Sequence, residues 1–336
     1  SESASKKIYR PHVGDFVYSD KTWSTDLDSS KTCVGVITDV RSMDFDFIAL
    51  NDLRDYAFGL NGVNISDYYD SNAVAYPRLD FKGKEWTKGI ATTFSNYNTA
   101  VKLCYEYSTE GFPAGEWFLP AGGQGLAIIL AKDAYSLQTK LATAGGTQLK
   151  TNSSPYVTST LAKDTSQIWA YYTNGQYNLN TYYRSYADTH VRPLCTIEYN
   201  HIDSGIYICD KDNNYYSTSE WSTSGKSNDD AIGVAIVTDK AQFLMGKGQN
   251  NKAMSSSSSF SSVIDPIITS AVEEDYHGEL NTRAFKLINA NTTYAFGYCA
   301  NYKFDNKAPG YLGSAGEWRE VMNNITEITS AFKAIG

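Results

Sequence analysis

Residues 169–186, WAYYTNGQYNLNTYYRSY, gather seven aromatic side chains in 18 positions. A tyrosine offers a wide apolar ring, only two side-chain torsions to fix, and a hydroxyl at its tip. The amides between the rings add adaptable donors and acceptors. Such a surface suits the faces of sugars or the loops of a protein. The candidate ligand contacts are Trp169, Tyr172, Asn174, Gln176, Tyr177, Asn178, Asn180, Tyr182, Tyr183 and Arg184. Side chains alternate across a strand, so half of them must face a core. Trp169, Tyr171 and Tyr183 are the candidates for burial.

Bond-breaking chemistry has less to stand on. The histidines are His12, His190, His201 and His277, and none sits in HExxH or beside GxSxG. His190 precedes VRPLCTI and reads as a strand-end residue rather than a base. The acidic neighbours Asp229-Asp230 and Glu273-Glu274 would point opposite ways on a strand and read as solvated loop charges. Paired carboxylates of a glycosidase meet in space rather than in sequence, so a hydrolase or other enzyme is retained as a minor alternative. The expectation is a protein that is not an enzyme, with no catalytic residues. Cys33, Cys104, Cys195, Cys209 and Cys299 are odd in number and contain no CxxC, which argues against a zinc site. They read as five small buried residues; one or two disulfides would require an oxidising compartment. No GxGxxG opens a helix and no P-loop occurs, so neither a metal nor a cofactor is expected.

These side chains need elements to hold them. FVYS, CVGVITDV and DFIALND read as strands of β-branched and aromatic residues. SPYVTST, IWAYYTN and HVRPLCTI read as later strands. Residues 123–144 predict one helix. Residues 316–335 predict another, with Trp318, Val321, Met322, Ile325, Ile328, Phe332 and Ile335 as its apolar stripe. Ser314 and Glu317 fit a capping box, where Ala121 and Gln124 make a weaker start. SSSSSFSS (255–262) reads as a flexible loop.

The chain also repeats itself. GDFVYSD, then Trp23-Ser24-Thr25, then VGVITD return as GIYICDKD, then Trp221-Ser222-Thr223, then IGVAIVTD. Asn98-Thr99, Cys104 and Tyr107 return as Asn291-Thr292, Cys299 and Tyr302. PAGEWFLPAGGQG (113–125) returns as APGYLGSAGEW (308–318), and each runs into a helix. Residues 147–198 have no second copy. The reading is an N-terminal segment 1–13, a first domain 14–200, and a second domain 205–336 that lacks the C-terminal strands of the first.

WFLPAGGQ, SPYVTST, IWAYYTNGQ and HVRPLCTI together resemble the fibrobacter-major-paralogous-like (DUF1566-type) domains of bacteria. The opening GDFVYSDKTWST…CVGVITD looks like repeats of bacterial and phage surface proteins. The resemblance implies an α+β fold of two tandem C-type-lectin-like domains, each with mixed short strands and a core helix, the second truncated. It implies display outside the cell, on a cell surface or a virion. The chain departs from the pattern at Gly313, where a proline is expected, and has no Glu-Pro-Asn, Gln-Pro-Asp or Trp-Asn-Asp calcium motif.

Bulk composition fits that setting. The net charge is −8 and there is no basic stripe, so nucleic acid is not an expected partner. No run of 18 apolar residues exists, so membrane insertion is not expected. The polar N-terminus SESASKK suits a mature secreted protein, a phage structural protein or an excised fragment alike. The function expected is adhesion, or receptor or glycan binding, through the aromatic-rich face of the first domain. The alternative is an assembly module of a fibre, pilus or virion, its second domain completed by neighbouring subunits.

Overall fold

The computed structural model describes residues 6–7, 11–41, 43–68, 77–175, 179–199, 203–248, 252, 275–288, 293–304 and 310–336. It is a mixed α+β structure with several antiparallel sheets. The chain forms two compact units: residues 11–40 with 45–197, and residues 1–10, 41–44 and 198–336. Strand β1 (Lys6–Lys7) belongs to the second of these, so the segment read as a separate N-terminal piece contributes a strand.

The N-terminal unit stacks four layers. Its first sheet holds β2 (Phe16–Tyr18), β3 (Trp23–Ser24), β4 (Cys33–Val40), β5 (Asp44–Ala49) and β9 (Leu194–Glu198), in the order β3-β2-β4-β5-β9. Its second sheet is the antiparallel meander β6 (Tyr156–Leu161), β7 (Gln167–Tyr171) and β8 (Leu179–Tyr183). Helices α1 (Gly83–Thr93) and α2 (Ala100–Glu106) precede the turn, and α3 (Gly122–Ala134) and α4 (Leu137–Thr143) follow it. The helix expected over 123–144 is therefore two, because Ser136 takes a left-handed φ of 56° that a helix cannot pass through. Helix α3 is apolar nearly all round because it is a middle layer. Leu126, Ile128 and Ile129 pack with Phe16, Val36 and Ile48 of the first sheet and with Tyr156 and Tyr171 of the second. On the far side of the second sheet, Trp86, Ile90, Val101 and Cys104 of α1 and α2 meet Val157, Leu161, Ile168 and Ala170.

The WFLPAGGQ turn has to be small because backbone and rings press on it. A Cβ on Gly125 would come within 2.7 Å of the Tyr171 ring, and one on Gly122 within 2.4 Å of the Pro77 carbonyl. Gln124 replaces the missing cap. Its Oε1 accepts from Ala121 N at 3.0 Å and Gly83 N at 3.2 Å, and its Nε2 donates to buried Asp46 at 2.8 Å. Thr87 Oγ1 accepts from Leu119 N at 2.9 Å and so ties α1 to the turn.

In the C-terminal unit, β10 (Gly205–Asp210), β11 (Asn214–Tyr216), β12 (Ala231–Val237) and β13 (Gln242–Gly246) join β1 in the order β1-β11-β10-β12-β13. Here WST lies in a helix, α5 (Thr218–Thr223), rather than in a strand like β3. Ser217 and Glu220 cap that helix reciprocally, and Asn214–Tyr216 supply the strand instead. Helices α6 (Gly278–Ile288), α7 (Ala295–Asn301), α8 (Ala315–Asn323) and α9 (Ile325–Ala334) follow. The single helix expected over 316–335 breaks at Asn324. Val321, Ile328 and Ile335 are buried as the stripe requires, but Trp318, Met322 and Ile325 are exposed.

The second turn makes the bonds of the first. Leu312 N donates to Thr282 Oγ1 at 3.0 Å, and Ser314 N to Glu317 Oε2 at 2.8 Å. The box is half of the one expected, since the Ser314 hydroxyl turns to the Asp275 carbonyl at 2.5 Å. Gly313 departs from the proline pattern for a packing reason. A Cβ there would meet Trp318 Nε1 at 3.1 Å, so the indole occupies the space.

Candidate functional site

The aromatic stretch forms β7, β8 and the segment that follows, and the ladder decides which rings are free. Ile168 pairs with Tyr182 and Ala170 with Asn180, so Asn180, Tyr182 and Arg184 share the face that meets α1 and α2. Trp169, Tyr171 and Leu179 face α3. Strand β8 is the edge of its sheet among the described residues. Beyond it the backbone turns at Tyr183–Tyr186 and runs beside residues 49–59. Gly59 N donates to Arg184 O, Tyr56 N to Thr189 O, Leu53 N to Val191 O and Ala49 N to Pro193 O, all near 3.0 Å.

That clamp brings three tyrosines together. The Tyr186 ring lies 5.4 Å from Tyr182 and 5.1 Å from Tyr183, edge-on to the first and tilted to the second. Tyr182 and Tyr183 point to opposite faces of β8, so Tyr186 wraps the strand edge. Tyr183 is 45% and Tyr186 48% exposed. The Tyr182 hydroxyl donates to both Asp188 carboxylate oxygens at 3.0 Å. Partial burial, then that bond and the Asp188 charge, push the Tyr182 phenol up to about 12. Tyr172 is raised by burial and by the same carboxylate. The result is two exposed rings, Tyr183 and Tyr186, tilted against the half-buried Tyr182 beside an acceptor.

A polar lattice underneath keeps the segment in place. Arg192 is wholly buried; it donates from Nη1 to Asp52 at 2.9 Å, from Nε to Ala49 O at 2.8 Å, and from Nη2 to Leu50 O at 2.5 Å and Thr147 O at 2.8 Å. The Tyr156 hydroxyl donates to Asp52 at 3.0 Å; burial, then the Asp52 charge, raise its phenol. His190, also buried, sets Nδ1 2.8 Å from Asp55 Oδ1 and Nε2 2.9 Å from Asn152 Oδ1. Burial opposes the charge on Asp55, but hydrogen bonds from His190 and Lys150 outweigh it and hold the carboxyl below its ordinary range. His190 therefore stitches the closing strand to two loops.

The predicted contacts divide. Tyr183 and Asn180 are exposed on β8, Asn174 is exposed in the turn before it, and Tyr172 and Tyr182 are half-buried. Gln176, Tyr177 and Asn178 lie outside the described residues. The expected exposure of Arg184 is corrected. Arg184 is 3% exposed, because strand alternation turns it inward; Trp169 is half-buried and packs against the α3 core, the place its alternative reading as a core residue gave it. The expected core position of Tyr183 is also corrected, since β8 ends before α3 can cover it. Among the described residues, Trp169 Nε1, the Tyr171 hydroxyl and Arg184 Nε and Nη1 are buried without a hydrogen-bond partner. Tyr186 and Asp188 were not among the predicted contacts. Tyr186 stands in the aromatic stretch, but only the turn after β8 brings it to the others. Asp188 carries no local signal.

All five cysteines are free thiols: Cys104, Cys195 and Cys209 are buried, while Cys33 and Cys299 are half-buried, contrary to the expectation of five buried ones. Burial raises each, with Cys195 and Cys209 at about 12. Among the described residues no three metal-ligating side chains gather, and no helix is long and apolar enough to cross a membrane.

No family model matches the chain, and no curated protein matches it. Among solved structures it is similar to a fimbrial protein from Bacteroides ovatus, at 14% identity and a TM-score of 0.42. That match covers 56% of this chain and 49% of the other, about half the length of that protein. A likeness at this level assigns neither a fold family nor a function.

Proposed function

We propose that the chain is a non-enzymatic adhesion protein of a bacterial or phage surface, and that its N-terminal unit binds a neutral glycan on a target cell. The observation that carries this reading is the cluster of exposed Tyr183 and Tyr186 with half-buried Tyr182, beside Asp188. Tilted rings take up the C–H faces of a pyranose, and a fixed carboxylate accepts from adjacent sugar hydroxyls. The same carboxylate disfavours an acidic sugar by like-charge repulsion. The half-buried Tyr172 and exposed Asn180 extend the surface along β8. No metal or cofactor is needed for this recognition. A protein receptor would use the same rings and is the alternative for the same surface.

The surface setting rests on the sequence resemblance. We also read the two units as copies of one C-type-lectin-like ancestor. Supporting this, Thr87 and Leu119 bond as Thr282 and Leu312 do, and Gln124 reaches back to Ala121 as Glu317 does to Ser314. The test of function is a neutral-oligosaccharide array probed with the wild-type chain and with the Tyr183→Ala/Tyr186→Ala variant. Binding that the double variant loses at unchanged circular dichroism supports the reading. Absence of binding, or binding the variant keeps, removes it.

A further inference from the structure

The N-terminal unit carries a second cluster of rings at its surface. Helix α1 ends at its C-cap Phe94, and residues 95–98, Ser-Asn-Tyr-Asn, lead to α2. Tyr97 in that link is 46% exposed. Its ring stands edge-on to Phe94 at 6.3 Å, and Phe94 stands edge-on to Tyr68 at 6.1 Å. The Tyr68 hydroxyl is held at the helix end, 3.1 Å from Gly89 O and 2.6 Å from Thr93 Oγ1. Asn96 and Asn98, on either side of Tyr97, are exposed. Lys102 reaches the link at Ser95 O, 2.6 Å away, and its charge is partnered by Glu106 at 3.7 Å. An exposed ring flanked by neutral amides is the pattern already met on β8.

Backbone contacts place this cluster beside the first. Arg184, between Tyr183 and Tyr186, accepts at its carbonyl from Gly59 N at 3.0 Å. Gly59 in turn lies against the link, since a Cβ there would come within 3.1 Å of Asn98 O and 3.0 Å of Thr99 Cγ2. Ala100 N donates to Ala57 O at 3.1 Å on the same seam. The backbone at Arg184, at Gly59 and at Asn98 therefore runs side by side, and two strand spacings, roughly 10 Å, separate the outer pair. The middle position is a glycine at φ 89°, so no side chain stands there between the rings. Tyr182 and Phe94 also rest on one core cluster, around Ile65, Ile90 and Ile168.

We propose, building on the glycan reading of the Tyr183–Tyr186 surface, that the two clusters are subsites for one neutral oligosaccharide. Tyr183 and Tyr186 hold one sugar, Tyr97 holds another further along the chain, and the chain crosses Gly59 between them. The ligand is then an extended stretch of several sugars rather than a single terminal one. The chemistry is the same at both ends. A ring takes up the C–H face of a pyranose, and an amide beside it meets hydroxyls as donor or acceptor. Because the sugars are covalently joined, filling the second subsite raises the affinity of the whole chain.

The test is titration calorimetry of the full chain with the disaccharide and the hexasaccharide of three neutral series: maltose and maltohexaose, cellobiose and cellohexaose, chitobiose and chitohexaose. In a series that binds, Tyr97→Ala is expected to lose about fivefold in affinity for the hexasaccharide, the worth of one stacking ring. The disaccharide, which reaches one subsite, is bound equally by both chains. Tyr97→Phe keeps the ring and keeps the hexasaccharide affinity, while Tyr183→Ala/Tyr186→Ala weakens both lengths. A long chain can bind in more registers, so wild type and variant are compared at one length. Unchanged hexasaccharide affinity in Tyr97→Ala, or an equal loss for the disaccharide, overturns the second subsite and leaves the Tyr183–Tyr186 reading standing. If no member of the three series binds the wild type, the second subsite is overturned, and the array, which samples other sugars, decides the glycan reading by itself.

Discussion

Replacing Arg192 with methionine tests whether the buried lattice holds the binding segment. The methionine keeps most of the stem's volume and removes the guanidinium, which donates to Asp52 and to the carbonyls of Ala49, Leu50 and Thr147. Asp52 keeps the Tyr156 hydroxyl as a donor, so its charge is weakened rather than abandoned. Breaking one side of a buried ion pair costs about 3–5 kcal/mol. That is a large part of the roughly 5–15 kcal/mol by which a domain is stable. Urea denaturation of Arg192→Met, followed by near-ultraviolet circular dichroism of the tyrosines, should show a lower midpoint at unchanged slope. Adding Asp52→Asn should recover at least about 1.5 kcal/mol, since the paired group no longer carries an unmet charge. A loss below about 1 kcal/mol, or no recovery in the double variant, would show that the lattice is incidental and that other packing fixes residues 184–193.

Other consequences follow from the same geometry. Asp55 has its folded-state carboxyl below the ordinary value of 3.8. Its contribution is therefore present above the unfolded pKa and lost as pH falls through the folded one, and Asp55→Asn should flatten the acid limb of a stability-against-pH curve. Tyr182 is the reverse case. Its stabilisation is complete below the ordinary value of 10.0 and lost as pH rises through about 12; Asp188→Asn should move that phenol's ultraviolet titration to lower pH. The thiolate is the form that reacts with a maleimide, and burial raises all five thiols. The native chain at pH 7 should label slowly at Cys33 and Cys299 and not at Cys104, Cys195 or Cys209, with all five reacting in denaturant.

Much of the fold was legible where local pattern and tertiary role agree. CVGVITDV became β4 over the full stretch, and SPYVTST and IWAYYTN became β6 and β7, with Tyr156 at the start of one stacked on Tyr171 at the end of the other. What escaped was set by long-range partners. Strand β1 is two lysines whose partner is Asn214–Tyr215, far along the chain. Helices α1 and α2 gave no assignment, although Thr99 caps the second by accepting from Lys102 N. The WST repeat was real as sequence and misleading as structure, because Ser217 and Glu220 turn the second copy helical. At the site, composition pointed to the right stretch but not to the exposed rings. Arg184 looked like an anchor for a ligand and is buried, whereas Asp188 sits two residues past the stretch and fixes Tyr182.

The central claim is that the Tyr182–Tyr183–Tyr186 cluster is a glycan-binding surface. The most direct measurement is titration calorimetry of the wild-type chain and of Tyr183→Ala/Tyr186→Ala with the strongest neutral oligosaccharide found on the array. Removing two stacking rings at about 1 kcal/mol each predicts a loss of binding of order 30-fold. A double variant that binds within a factor of two of the wild type would contradict the account.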